Sequence, residues 1–450
     1  MNSLQLYEGK KQQIIQEWKE KIRNKEQIVL NKPISNLFRY RKNNASRLNV
    51  KDFNKVIHVD PINLLVEVEG MTTYEDLVNE TLKYNCMPQV VPELKSITIG
   101  GAFTGVGIES SSFKYGLVHE TIKEIEVLLP SGEIVIANRT NDYKDLFFAF
   151  PNSYGTLGYV LKLKTNLEKV KQYIKLTHRK FISQKEFWSS LEQLCKEQRN
   201  KKEISFIDGV IFNESEMIIT LGELIEKAPY LSNYKKLKIY YKSLKEKQED
   251  YLTIKDYIWR WDTDWFWCSK HFGVQNKLLR LFIPKSLLNS KNYWKIRAWN
   301  GKYRFTEKFP SKKKRESIIQ DVETTINKTE EFLTFFHKEI GIKPIWICPL
   351  QSQEQKTVYP LYKLDPKKLY INFGFWDTVP TTYEEGYYNK KIEQKLKELK
   401  GKKSLYSNVF YTEEEFWKNY NKKEYFKIKK KYDPHKVLKN LYEKVVREKA

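Results

Sequence analysis

Four of the chain's 18 glycines, Gly100, Gly101, Gly105 and Gly107, fall within eight positions, and this run limits the fold more than any other feature. Glycine lets the backbone turn through positive φ and lets a ligand approach the main chain, and successive open amides in such a loop cradle an anion. An ordinary turn or bulge needs one glycine, so four call for a further cause. Thr98, Ser110, Ser111 and Ser112 flank the run and offer hydroxyls to the same oxygens. The spacing is not GxGxxG, because position 110 is Ser, and no P-loop spacing occurs. A second cluster, Ser153 to Gly158 with Gly155 and Gly158, precedes a strand and can reach the same ligand.

The glycine run sits among short β-branched stretches punctuated by turns. Lys55–Asp60, Leu64–Glu69, Ile125–Leu129, Glu133–Ala137 and Gly158–Leu163 read as strands, with a hairpin turn at Pro130, Ser131 and Gly132. Thr73–Tyr84 and Asp142–Phe150 carry apolar residues at helical spacing. Strands that pair through short turns exclude a doubly wound sheet and predict an α+β segment over 31–168.

After about residue 170 the character changes. Lys185–Asn200, Glu316–Ile340 and Tyr388–Lys400 read as helices, and Ser205–Phe212, Met217–Leu221 and Lys368–Phe375 as strands. Aromatic residues concentrate in Leu252–Phe272, which holds Trp259, Trp261, Trp265 and Trp267. Two readings stand for that stretch, a core seam and the wall of a large apolar pocket. Tyr257, Arg260, Asp262 and Asp264 are reachable polar groups within it, and the catalytic candidates the sequence offers. His119 and His271 are isolated and take no catalytic role, and Glu109 and Lys114 read as orienting the glycine loop.

The net charge of +24 points first to nucleic acid, but its location argues otherwise. Residues 31–170 hold 16 basic and 16 acidic groups, so the excess lies almost wholly after 170. No helix-turn-helix, RNP or finger pattern accompanies the lysine runs at 312–315 and 427–431, and such runs are usually solvated faces, so nucleic acid is not the expected partner. Cys86, Cys195, Cys268 and Cys348 are far apart, so no disulfide framework or metal site is signalled and a reducing compartment fits. The N-terminus reads as a charged helix without a signal-peptide core, and no apolar window reaches the length of a membrane span. The expected location is cytoplasmic, or peripheral on the cytosolic face of a membrane, with no transmembrane anchor.

The strings Pro92-Glu93-Leu94, Ile99-Gly100-Gly101 and Thr104 to Leu117 resemble the diphosphate loop of the FAD-linked oxidase family of vanillyl-alcohol oxidase type, and within it the sterol side-chain reductase branch. Similar patches recur at Gln16–Glu20, Asp145–Phe147, Arg260 with Phe266-Trp267, Pro344–Pro349 and Glu414–Trp417, so the resemblance covers nearly the whole chain. It implies a two-lobed PCMH-type FAD-binding domain with an α+β cap. The expected division is an N-terminal helix (1–30), the FAD-binding domain (31–168), the cap (169–405) and a C-terminal segment (406–450) that packs back on the FAD domain. Asp433-Pro434, similar to an element of that segment, would open a terminal helix. The FAD contacts it implies are Thr98, Ile99, Gly100, Gly101, Gly105, Gly107, Ile108, Ser110 and Ser111, with Gly155 and Gly158 near the flavin.

Two departures shape the expectation. The first phosphate loop is Arg39-Tyr40-Arg41-Lys42-Asn43-Asn44, with neither glycine nor a histidine for covalent attachment, so FAD is expected to be non-covalent, with Arg41 or Lys42 meeting phosphate as charges. The apolar N-terminal anchor of the eukaryotic sterol enzymes is also missing from this sequence. The implied activity is reduction of a sterol side-chain double bond with NADPH as reductant, the protein supplying orientation, an acid and a dry pocket. The alternatives are an oxidase of an alcohol or sugar that uses oxygen, and a non-catalytic basic protein that binds lipid or nucleic acid on a retained FAD fold. Under the leading reading the basic cap and tail face an anionic membrane.

Overall fold

The computed structural model describes residues 3–24, 26, 28–32, 35–39, 46–303 and 314–446. Arg41 and Lys42 lie outside them. The first sheet runs in the order Val56–Asp60, Leu65–Glu69, Tyr159–Lys169, Ile122–Leu128, Ile134–Asn138, and the short strand Cys86–Pro88 also pairs with Tyr159–Lys169. Val127 pairs with Val135 and Leu128 with Ile134, which closes the expected hairpin over Pro130–Gly132. Alternate residues Leu161, Leu163 and Thr165 of the central strand are buried, as a half-covered sheet requires. Helix Tyr74–Thr81 is capped by the Thr73 hydroxyl, which accepts from the Asp76 amide, and it buries Leu77 and Val78 against this sheet.

The N-terminal helix Ser3–Arg23 is charged, yet it is not a free arm. Tyr7, Ile14 and Trp18 recur at helical spacing and are buried. The Trp18 indole donates to the Pro130 carbonyl at 3.2 Å. Gly132, at φ +88°, sits under that ring, where a Cβ would come within 3.2 Å of Trp18 Cδ1.

At 170–172 the chain leaves the first sheet and enters a second of eight antiparallel strands, beginning with Tyr173–Phe181. Helices Gln184–Lys201, Thr329–Glu339 and Tyr387–Leu399 pack their apolar stripes on one face, against Ile345, Ile347, Phe373 and Phe375. Trp346, Cys348 and Trp376 point through the opposite face toward the first domain. Period-two alternation along Ile345–Leu350 thus supplies both cores.

Two expectations are corrected. Glu316–Ile340 is not one helix but strand Arg315–Thr325 followed by helix Thr329–Glu339. The β-branched residues Ile318, Ile319, Val322, Thr324 and Thr325 favour a strand. The polar residues that disguised it are buried with partners, Glu316 with Asn389 and Glu323 with Tyr362. Asp433-Pro434 does not open a helix either. Asp433 ends helix Lys422–Tyr432 and takes the amides of Val437 and Leu438 at 2.8 and 3.0 Å, folding the chain into a turn. The terminal helix Leu441–Val445 starts later, capped by Asn440. No helix among the described residues is long and apolar enough to cross a membrane.

Candidate functional site

A cavity of about 1720 Å³ lies where the two sheets face each other. Single ligand pockets run to roughly 300–1,000 Å³, so this space accommodates a dinucleotide and a second, apolar molecule. One wall is the glycine segment: Thr98, Gly101, Gly105, Gly107 and Ile108 line it. The opposite wall is aromatic, from Phe266, Trp294, Trp346 and Trp376. A third side is basic, with Arg39 and, from the C-terminal segment, Lys429, Lys430, Lys436 and Lys444.

The glycines divide by role. Helix Ile99–Thr104 starts at Thr98, whose hydroxyl accepts from the Gly101 amide at 3.2 Å. The amides of Ile99 and Gly100 are spent on the carbonyls of Thr72 and Gly70, at 3.0 Å each. A Cβ at Gly100 would stand 2.6 Å from the Gly70 oxygen, so Gly100 is there for backbone packing. At Gly105 a Cβ would meet the Gly101 carbonyl at 2.8 Å, and at Gly107 the Ala102 and Val118 side chains at 3.1 Å. Between these two glycines Val106 holds φ +54°, a left-handed conformation that costs a β-branched residue on the order of 1–3 kcal/mol. Such strain collects at ligand-binding loops, and here it lies on the cavity wall.

The other residues expected at the cofactor do not line this space. Ser110 and Ser111 are buried behind the loop, Ser110 sharing a hydrogen bond with the Tyr257 hydroxyl at 3.0 Å and Ser111 donating to the Gln89 carbonyl at 2.7 Å. Gly155, at φ +73°, and Gly158, at φ +142°, shape the turn that presents Tyr154 and Tyr159 to the cavity. A Cβ at Gly158 would clash with the Leu128 carbonyl at 2.7 Å.

None of the four catalytic candidates lines the cavity. Tyr257 is buried on Ser110. Asp262 takes the Lys95 amide at 2.9 Å and the Ser290 hydroxyl at 2.5 Å. Asp264 is clamped by both terminal nitrogens of Arg280, at 2.5 and 3.0 Å. These carboxylates hold loops in place. Trp259, Trp261, Trp265 and Trp267 are likewise core residues. Trp265 stacks on Tyr293, and the Trp267 indole donates to the Trp376 carbonyl, so of that stretch only Phe266 reaches the aromatic wall.

Arg260 differs because of what stands in front of it. Its Nη2 donates at 2.8 Å to both Glu109 and Asp208, and Trp346 donates to the same Asp208 oxygen at 3.2 Å. Glu93, on the cavity wall, lies against Glu109. One guanidinium therefore faces three buried carboxyl groups, and in a low-dielectric interior they cannot all ionise. Burial, then repulsion from Glu109, hold the Glu93 carboxyl well above the usual carboxylate range, and Glu93 Oε1 has no protein partner among the described residues. A second acid, Asp321, also reaches the cavity and is raised by burial. It accepts from Asn372 at 2.9 Å and from Tyr406, bonds that favour its charged form. Neither was singled out in the sequence. Glu93 lay in plain sight within Pro92-Glu93-Leu94, whereas Asp321 was hidden in the stretch misread as helix.

The C-terminal lysines were missed too, because a run of four lysines in five positions reads as a solvated face. Lys429 is buried, donates to the Thr156 carbonyl at 2.7 Å and pairs with Asp433 at 2.6 Å. Lys431 and Tyr432 both bond Asp145. The segment is thereby stitched to the Tyr154–Gly158 turn and closes the cavity from the first domain's side.

Residues 9–138 match the FAD binding domain family. Over 439 residues the chain is 26% identical to a Delta(24)-sterol reductase homolog of Caenorhabditis elegans, spanning 90% of this chain and 80% of the relative. It is 25% identical over 437 residues to a Delta(24)-sterol reductase of Arabidopsis thaliana (87% and 75%) and 26% identical over 411 to that of Homo sapiens (87% and 76%). The glycine helix and Glu93 fall within the matched domain. A cavity sized for a dinucleotide, a strained glycine wall and a basic rim fit a flavin dinucleotide, and the chain is a flavoprotein oxidoreductase that carries an FAD binding domain over residues 9–138 and is similar to Delta(24)-sterol reductases over most of its length.

Proposed function

We propose that the protein reduces a side-chain carbon–carbon double bond of a sterol, with non-covalent FAD and with NADPH as reductant. Thr98, Gly101, Gly105, Gly107 and Ile108 would hold the FAD diphosphate region, and the lysines of the C-terminal segment would balance its charge. Non-covalent binding rests on the sequence of the first phosphate loop, Arg39 to Asn44, which has no histidine.

Glu93 carries the reading. An isolated trisubstituted alkene has no carbonyl to polarise, so its reduction needs a proton placed on the less substituted carbon, and that needs an acid still neutral at physiological pH. Glu93, whose carboxyl burial and Glu109 hold well above the usual carboxylate range, would serve as such an acid, on the wall of a chamber also lined by Phe266, Trp346 and Trp376. The proton adds to one alkene carbon, and positive charge develops on the other, facing aromatic rings that stabilise it. Reduced FAD, when bound, supplies the hydride equivalent that completes the two-hydrogen addition. Burial and the neighbouring Glu109 keep the proton on Glu93 beforehand, against the pull of Arg260, and the closed aromatic wall excludes water that would trap the cation as an alcohol.

The test is anaerobic mixing of the flavoprotein with NADPH, followed by a Δ24 sterol and mass analysis. Flavin bleaching by NADPH and a product two hydrogens heavier are expected. Flavin that NADPH leaves oxidised, or that is bleached by an alcohol and reoxidised by oxygen, overturns the reading in favour of an oxidase.

A further inference from the structure

The stretch between Asp264 and Glu307 contains no Asp or Glu and nine Lys and Arg residues. Its described part turns an apolar face outward. Leu278, Leu279, Leu281, Phe282 and Leu287, five apolar side chains in ten positions, are exposed, Phe282 by 84% and Leu278 by 70%. Exposed leucines scattered singly are ordinary, but a contiguous group of this kind marks an interaction surface.

The patch is held rigidly. Asn276 caps the short helix Lys277–Phe282. Within that helix Arg280 points inward to Asp264, so Leu278, Leu281 and Phe282 are turned out. Ser290, bonded to Asp262, starts the next helix, Ser290–Tyr303. That helix connects the patch to the site, since its Lys291, Trp294 and Lys295 line the cavity while Ile296, the next residue, is exposed.

Charge decides among the candidate occupants. Lys270, Arg280 and Lys291 are paired with Asp377, Asp264 and Glu75, but Lys277, Lys285 and Lys295 are exposed beside the apolar side chains. A second copy of the chain docked here would set lysine against lysine, in a stretch with no acid to answer. An anionic lipid surface answers both halves of the patch: acyl chains take the leucines and Phe282, and headgroups take the lysines. We infer that Lys277–Ile296 is a membrane-docking patch for anionic bilayers, placed so that the cavity opens beside the lipid surface. This goes beyond the activity proposed above, and it gives a lipid-soluble substrate a route from the bilayer into the aromatic chamber.

The experiment is co-sedimentation of the flavin-loaded full chain with phosphatidylcholine vesicles, with and without phosphatidylserine, at rising salt. The wild type is expected to bind the phosphatidylserine vesicles and to be released by salt. Leu278→Ser with Phe282→Ser should weaken binding about tenfold or more, and Lys277→Glu with Lys285→Glu should abolish the preference for phosphatidylserine. Flavin absorbance and the thermal midpoint report folding of both variants, whose altered side chains are exposed. No substrate enters this assay, so its outcome stands apart from that of the sterol test. Vesicle binding by both variants equal to wild type, or no binding by the wild type, overturns the inference. A wild-type dimer that Leu278→Ser with Phe282→Ser converts to monomer also overturns it, and assigns the patch to a second copy.

Discussion

Arg260 and Glu109 meet at 2.8 Å, both almost fully buried, and join the tryptophan-rich stretch to the glycine segment of the FAD-binding domain. Removing one member of a buried pair leaves an uncompensated charge, typically at a cost of about 3–5 kcal/mol. Arg260→Met is expected to lose about that much in urea unfolding. Adding Glu109→Gln should recover part of it, because the orphaned charge is removed together with its partner. Additive losses in the double variant would mean that the two residues are not coupled.

Glu93→Gln keeps the shape of the wall and removes the proton. Turnover should fall by roughly 10²–10⁴-fold, the usual worth of a placed acid, while flavin content and the rate of bleaching by NADPH are retained. Asp321→Asn serves as the comparison, since the donors Asn372 and Tyr406 favour the charged form of Asp321. If Asp321→Asn gives the larger loss, the proton comes from the Asp321–Tyr406 pair.

Gly100 and Gly101 are adjacent but answer to different neighbours. Gly100→Ala drives a Cβ into the Gly70 carbonyl and should lower the melting temperature of the apoprotein. Gly101→Ala meets only the Thr98 hydroxyl, at 2.9 Å, on the cavity side. Its larger effect should be on FAD affinity, read by flavin retention through dialysis, with a smaller change in melting temperature.

His119 gives a pH dependence with a definite sign. Burial, and then Arg139, lower its pKa from 6.5 to about 3, so the folded protein keeps the ring neutral where the unfolded chain protonates it. The unfolded state then binds the extra proton, and stability falls as pH drops below about 6.5. Between pH 7 and 5 this group alone should cost about 2 kcal/mol. The ring packs edge-on against Tyr359, with centroids 4.2 Å apart, so His119→Leu loses some packing at pH 7. The gap between the variant and wild type in urea unfolding should narrow on acidification, and a gap constant with pH would refute the assignment.

Lys429 ties the C-terminal segment to the Tyr154–Gly158 turn, so Lys429→Met should loosen that closure. Protease digestion is expected to cut first between residues 430 and 446, and FAD should dissociate faster than from the wild type. Unchanged digestion would show that Tyr432 and Asp145 suffice to hold the segment.

Much of this was legible in the sequence, for reasons that can be given residue by residue. The strands around Tyr159–Lys169 were visible because one face is wet, which prints the alternation on the chain. Arg315–Thr325 was not, because Glu316, Gln320 and Glu323 are buried among partners from distant segments, and a buried polar residue looks like a solvated one until its partner is known. The glycine run announced a site, but Gly100 and Gly101 are identical letters and only the Gly70 carbonyl separates them. The tryptophan-rich stretch drew attention to itself by composition, whereas the cavity's aromatic wall comes mainly from Trp294, Trp346 and Trp376, single residues on separate elements.

The cavity takes its lining from Ile28 and Leu30 near one end of the described chain and from Lys444 and Val446 near the other. A nascent chain still holding residues 429–446 in the ribosomal tunnel has the glycine wall and the aromatic wall but no third side, an open trough and not a chamber. Cofactor capture should therefore wait until residues 429–446 have folded onto the first domain. Cells short of flavin should accumulate a folded two-sheet body whose last segment is unlatched and open to proteolysis, so cofactor supply would set how much of the protein survives.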